Sequence, residues 1–374
     1  MEGSLLPANS GLLETTFETS LGDRWVDIGG AVAAIRTAKL VSPPPSFLPW
    51  LVLEYGLGEL TPFVPNLYNL VVDREGVKWQ RLRGTPAAVA KGLGFIGYSA
   101  TLEDAWYGRA FWNSTQLRFP ALPGTDDPDL SRIEGITQLS LAKRSLLRRG
   151  VYQYDAQAIE LDRSRLDDGL LERESGVAVT AAGTLWSFGR TSEIDHVLTE
   201  AEGTAIGNWI DPPVGDSLLW IEMNYPWADA DFGWADSPVV ARQILMASWF
   251  ESRSLYVTFR DAEGDIIGHR RCRAVRAVNQ GFGAGYTFGA ATYRPASAGT
   301  MLYIEAMTDF GDAQTVVAAG VELTIAPTLA ADIPPGRLWL EPDDVLGGDA
   351  IAVGTIALPL RTTVRDQIKI LMRF

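Results

Sequence analysis

The sequence predicts an α+β protein: a helical N-terminal region followed by a mainly β, sandwich-like C-terminal region. Three observations carry this. Apolar residues in the first hundred positions recur at three- and four-residue steps, the spacing of one helix face. From about Leu218 onward, short apolar stretches alternate and are divided by Gly and Pro, the pattern of a β-sandwich. Composition is that of a globular chain, with 374 residues, 47% hydrophobic and 21% charged. That length sets a prior of two to three domains, and texture divides the chain into residues 1–105, 106–215 and 216–374, the middle part a mixed connecting region.

In order along the chain, Leu12, Leu13, Phe17 and Leu21 make one apolar helix face, and Val32, Ile35 and Leu40 a second, weaker helix stopped by Pro43-Pro44-Pro45. Phe47 to Gly56 reads as a compact buried helix, with Trp50 in the core at a cost of ~3–5 kcal/mol on truncation to alanine. Asn66 to Arg83 is amphipathic, with a break expected at Gly76. Next comes a capped helix: Thr85 offers its hydroxyl to a free N–H of the first turn, Pro86 stands where its missing N–H costs nothing, and Gly94 or Gly97 ends it. Residues 106–135, rich in Trp, Pro and Gly, read as loops with one or two short strands. Residues 136–149 read as a basic helix (Lys143, Arg144, Arg148, Arg149). Short strands are expected at Ala158 to Leu161, Val177 to Thr180 and Leu185 to Phe188.

In the C-terminal part, Leu218 to Met223 is a strand. Pro238 to Glu251 is a helix with Ser237 as N-cap. Leu255 to Arg260 turns through Asp261 to Asp265 and returns from Ile266 to Val278 as a hairpin. Further strands are expected at 284–293, 301–308, 315–325, 337–340, 351–357 and 364–374. In the last, Ile368, Ile370 and Phe374 share a face, and the apolar end argues for a paired strand, while a sheet edge of the β part is expected to offer unpaired backbone groups to a partner chain.

Counts exclude much chemistry. Formal charge is −14, which disfavours nucleic acid or an anionic membrane as the main partner. One cysteine, Cys272, excludes an internal disulfide, and two histidines, His196 and His269, leave little for a metal centre, so no cofactor is expected. The start of the sequence has no basic segment followed by an apolar run, and no stretch reaches the ~18 apolar residues of a spanning helix, so synthesis in the cytoplasm without membrane insertion is expected.

Individual motifs fall short of their required context. Gly92-Leu93-Gly94-Phe95-Ile96-Gly97 matches a dinucleotide fingerprint, but it follows a helix where the fingerprint must precede one. Asp229, Asp231, Glu222 and Asp236 with Trp220, Tyr225, Trp227 and Trp234 are the basis of an alternative reading, a carbohydrate-binding or glycan-degrading protein. Neither histidine sits in a nucleophile motif. Arginines beside Cys272 would lower its pKa, although a lone strand cysteine is usually a packed side chain. Arg270, Arg271, Arg273 and Arg276 form the densest basic patch of the C-terminal half, with Arg271 and Arg273 expected on one strand face as a docking patch for an acidic partner.

Three stretches, in order, resemble the tail protein I family of contractile-tailed phages. They are Leu5 to Ser10 with Leu13-Glu14, Phe47-Leu48-Pro49-Trp50-Leu51, and Arg83-Gly84-Thr85-Pro86-Ala87-Ala88-Val89 with Leu93-Gly94 and Tyr98. The resemblance covers roughly residues 5–100. Departures are Trp79-Gln80-Arg81, where the family usually has His-Arg, and Glu59 to Pro65, where it is usually rich in Trp and Asp. The resemblance implies a structural, non-enzymatic baseplate wedge protein, present in multiple copies per virion. Its implied partners are the other wedge protein, of the baseplate J family, and a tail fibre or neighbouring baseplate subunits. Leu13, Phe17, Trp50, Leu51, Arg83, Gly84 and Thr85 are the expected assembly interface.

Overall fold

A computed structural model describes residues 6–104, 112–155, 174–211, 238–313, 315–334 and 337–374. The chain divides into two compact units, residues 1–102 with 128–146, and residues 103–127 with 147–374. The expected strands at 158–161 and 218–223, the cap Ser237 and the acidic and aromatic residues of the glycan reading lie outside the described residues.

The first unit is helical. Its elements are α1 (Leu12–Leu40), α2 (Leu48–Glu54), α3 (Leu67–Val72), α4 (Glu75–Leu82) and α5 (Pro86–Phe95), and later α6 (Asp129–Ser140). The two expected N-terminal helices are one helix of 29 residues. Gly29 and Gly30 weaken a helix by about 1 kcal/mol each without forbidding it. Between α3 and α4 the chain turns at Arg74, which takes the left-handed conformation at φ 57°. That break lies two residues before Gly76, which is instead held inside α4 against Leu57. Thr85 caps α5 as its sequence dictates, its hydroxyl accepting from the Ala88 N–H at 3.3 Å.

The core of this unit comes from the inner faces of α2 to α6 and from the connection between α2 and α3: Leu51, Leu57, Leu60, Val71, Trp79, Leu93, Leu130, Ile133 and Ile136 are all buried. α6 stands where the sequence suggested loops and then a basic helix. Leu130, Ile133 and Ile136 repeat at three-residue steps and pack its inner face, so the helix comes earlier and ends before Lys143.

The second unit is mainly β. Its strands are β1 (Thr101–Asp104), β2 (Ser114–Arg118), β3 (Leu146–Tyr152), β4 (Val177–Ala178), β5 (Leu185–Val197), β6 (Leu255–Arg260), β7 (Ile266–Arg271), β8 (Ala274–Gln280), β9 (Tyr286–Phe288), β10 (Ala291–Pro295), β11 (Met301–Met307), β12 (Val317–Ile325), β13 (Thr328–Leu329), β14 (Trp339–Leu340), β15 (Val345–Leu346), β16 (Asp349–Pro359) and β17 (Val364–Arg373), with helices α7 (Glu200–Ala205) and α8 (Pro238–Glu251) between β5 and β6. The large sheet runs β1-β2-β3-β5-β17-β11-β8-β10-β9, with β4 on β5, and the smaller runs β14-β7-β6-β12-β16. β13 and β15 pair separately.

Both sheets contribute to one core. Val257, Phe259, Leu323 and Ile351 of the small sheet cluster with Leu302, Ile304, Ile368, Ile370 and Met372 of the large one and with Met246 and Phe250 of α8. The alternation of β17 is the cause: Ile368, Ile370, Met372 and Phe374 enter this core, while Leu371 packs on the opposite face with Val278, Tyr293 and Tyr303. The expected hairpin forms at β6–β7. Its turn is held by the Asp261 carboxylate, which accepts from the N–H of Glu263 at 3.1 Å and of Asp265 at 2.8 Å.

Two expectations are corrected here. Residues 143–149 are not helical: Arg148 and Arg149 belong to β3, where the Arg149 side chain is fully buried and donates to the carboxylate and carbonyl of Asp155 and to the Ser175 carbonyl. The last strand, by contrast, is paired as expected, with β17 lying between β5 and β11. Residue 216 is not a boundary of the β unit. β5 pairs in parallel with β17 from Phe188↔Val364 to Val197↔Arg373, so a fragment beginning at 216 loses a central strand.

Candidate assembly surface

Within the helical unit, the sites expected from sequence separate into two kinds. Arg83, Gly84, Thr85 and Leu51 are framework. Gly84, at φ +89°, turns the chain into α5, and its N–H donates to the Ser140 carbonyl at 2.8 Å. Arg83 donates through Nε to the Leu139 carbonyl at 3.0 Å, reaches Glu59 at 2.8 Å, and lies over the Trp79 ring. The Trp79 indole N–H donates to the Ser140 hydroxyl at 2.8 Å. This corner therefore ties α4 and α5 to the end of α6. The glycine motif serves the same joint. A Cβ on Gly92 would meet Ser140 Oγ at 2.8 Å, and Gly97, at φ +79°, follows the end of α5.

Leu13, Phe17 and Trp50 are of the second kind, large apolar side chains facing outward. Trp50 is 67% exposed and Leu53 68%, on the side of α2 opposite the buried Leu48, Leu51 and Val52. The expectation that Trp50 sits in the core is therefore corrected; its neighbour Leu51 does. On α1, Leu13, Phe17, Ile28, Val32 and Ile35 are all exposed, Phe17 at 65% and Ile35 at 68%. Their steps of four, eleven, four and three residues place them within about 100° around the axis of a helix about 43 Å long. The far end of α1 is tied to α2, where the Tyr55 hydroxyl donates to the Lys39 carbonyl at 3.3 Å and Lys39 pairs with Glu54. Such a row of large apolar side chains in solvent is more than the singly scattered apolar residues of an ordinary surface.

Residues 6–139 match the family described as phage tail protein (Tail_P2_I). The match takes in the three stretches that resembled the tail protein I family and runs on through α6, ending one residue before that helix does. It thus includes every helix of the helical unit, and passes on its way through β1 and β2. The motif resemblance ends near residue 100, where a Trp-, Pro- and Gly-rich stretch hides the return to helix. The Leu130, Ile133, Ile136 repeat was the signal that would have found it. Comparison with curated proteins finds no match. The matched family is one of phage tail proteins, and the match ends before most of the β unit.

The arginine patch of the β unit does not form one face. The chain leaves the small sheet after Arg271 and enters the large one at Ala274, which separates Arg270 and Arg271 from Arg276. The Arg270 side chain is buried and meets Asp312 at 2.8 Å. Arg273 meets Glu305 at 2.7 Å, and the more exposed Arg276 lies 3.6 Å from Glu251. Arg271 is exposed on β7. Charge pairing within the unit thus occupies Arg270 and Arg273, and the reading of all four as one docking patch does not hold.

The remaining reactive residues are held in the fold. Burial pushes the Cys272 thiol up from its usual range despite the arginines on either side. His269 Nδ1 is 2.7 Å from the Thr258 hydroxyl, which is 2.6 Å from that of Thr324, and burial lowers the histidine pKa. His196 lies 3.3 Å from Glu202. Among the described residues no group of three or more His, Cys, Asp or Glu side chains is placed to hold a metal ion. No helix there is long and apolar enough to cross a membrane.

Proposed function

We propose that the chain is a structural wedge protein of a contractile-tail baseplate, in a phage or a phage-derived particle. Its helical unit binds the other wedge protein, of the baseplate J family, through α1 and the outer face of α2. The observation that carries this reading is the exposed row of Leu13, Phe17, Ile28, Val32 and Ile35, with Trp50 and Leu53 on the neighbouring helix, inside the span that matches the phage tail family. Burial of such side chains is the main driving force of stable association, and aromatic anchors carry much of it. The β unit lies mostly beyond that span, and in this reading it serves the attachment of a tail fibre or of neighbouring baseplate subunits.

The test is co-expression with a baseplate J family protein from the same genome, purified through a tag on that partner. A stoichiometric complex is expected. Recovery of the J protein alone, with the chain folded and soluble in the same cells, overturns the reading.

A further inference from the structure

The two large sheets have four ends, and three are blunted by shortness: β1 has four residues, β9 three and β14 two. The fourth is β16, with eleven residues, bonded on one side to β12 and to no strand on the other among the described residues. A free strand edge presents a row of unpaired N–H and C=O groups that templates another chain, and proteins protect such edges with shortness, charge or proline. From Ala350 to Leu358 the strand has neither charge nor proline. Its inward Ile351, Val353 and Leu358 are buried, and its outward Ala350, Ala352, Thr355 and Ala357 are exposed and small. Its one concession is a pair of bulges against β12, which add twist.

We propose that β16 is a self-association strand, to which a second copy of the chain adds its own β16 in antiparallel fashion. Symmetry and charge select this occupant. Two identical antiparallel strands are self-complementary, each residue facing in one copy what it faces in the other. The only charged side chain of the strand, Asp349, is at one end. Antiparallel pairing separates the two copies of it by about 33 Å, so the seam itself is uncharged although the chain is strongly acidic. This contact is independent of the docking proposed for the helical unit.

Sedimentation equilibrium of the full chain tests it, with Ala352→Lys/Thr355→Lys as the variant. Both positions are exposed, so the variant is expected to keep the wild-type circular dichroism. Twice the monomer mass is expected for wild type at micromolar concentration, and association weakened about tenfold or more for the variant. A wild-type chain that stays monomeric overturns the proposal. So does a folded variant that associates as tightly as wild type, which is the result a dimer formed through α1 gives. Should the paired lysines disturb the spectrum, Ala352→Lys alone is measured, and unweakened association of that variant overturns the proposal equally.

Discussion

Replacing Trp79 with alanine is expected to destabilise the helical unit severely, whereas the same replacement at Trp50 is expected to leave it folded. Trp79 has no exposed surface. It meets Phe95 edge-on with centroids 6.5 Å apart, lies under the Arg83 guanidinium and donates its indole N–H to Ser140. Truncating such a side chain costs ~3–5 kcal/mol, a large part of the ~5–15 kcal/mol that holds a typical domain together. Trp50 keeps 67% of its surface in solvent. If a tryptophan offers about 250 Å², about 80 Å² of it is covered, worth at most ~2 kcal/mol at ~25 cal/mol per Å². Urea unfolding of the two variants, followed by far-UV circular dichroism, which the helices dominate, reads the difference directly. A Trp50→Ala loss as large as that of Trp79→Ala would refute the reasoning, because the outer face of α2 would then be packed and not free for a partner.

Two further outcomes follow from the β unit. Arg270→Ala strands Asp312 beside a buried gap and is expected to cost about 3–5 kcal/mol in urea unfolding, while Arg276→Ala, at a half-exposed pair, changes stability by about 0.5 kcal/mol or less; equal losses would contradict the assignment of Arg270 to the framework. Burial holds His269 below its ordinary pKa of 6.5, so the unfolded chain takes up that proton first as pH falls. Its contribution is fully present above that value and is lost as pH drops toward the folded pKa. The melting temperature of the β unit is therefore expected to fall between about pH 7.5 and about pH 5.5, and to fall less in His269→Gln; identical profiles would remove His269 as the cause.

What the sequence made legible was mostly local. The Thr85-Pro86 start, the stop at Pro43-Pro44-Pro45 and the Asp261 to Asp265 turn are each decided within a few residues, by one hydroxyl, one missing N–H and one carboxylate. β5 was read as four residues and has thirteen. Its second half alternates Thr191, Glu193 and Asp195 with Ser192, Ile194 and His196, a weak pattern that becomes a strand because β17, more than 160 residues later, pairs with it. Arg148 and Arg149 looked like a helix face for the same reason. Arg149 is buried against Asp155 and Ser175 and the half-buried Arg148 pairs with Glu174, partners that no local pattern brings near. Of the residues expected on one apolar face of the first helix, Leu13 and Phe17 are exposed on α1. Spacing did not separate Trp50 from Leu51, which are adjacent in sequence and about 100° apart on α2, one exposed and the other buried.

The central claim is that the exposed apolar face of α1 and α2 exists to be covered. The most direct measurement is the affinity of the full chain for the baseplate J protein, by isothermal titration, for wild type and for Phe17→Ser/Val32→Ser/Trp50→Ala. All three positions are largely in solvent, so the isolated variant is expected to melt close to wild type. If these side chains anchor the contact, losing them costs at least ~2 kcal/mol of binding, a weakening of about thirtyfold or more. An unchanged affinity in the folded variant would contradict the account.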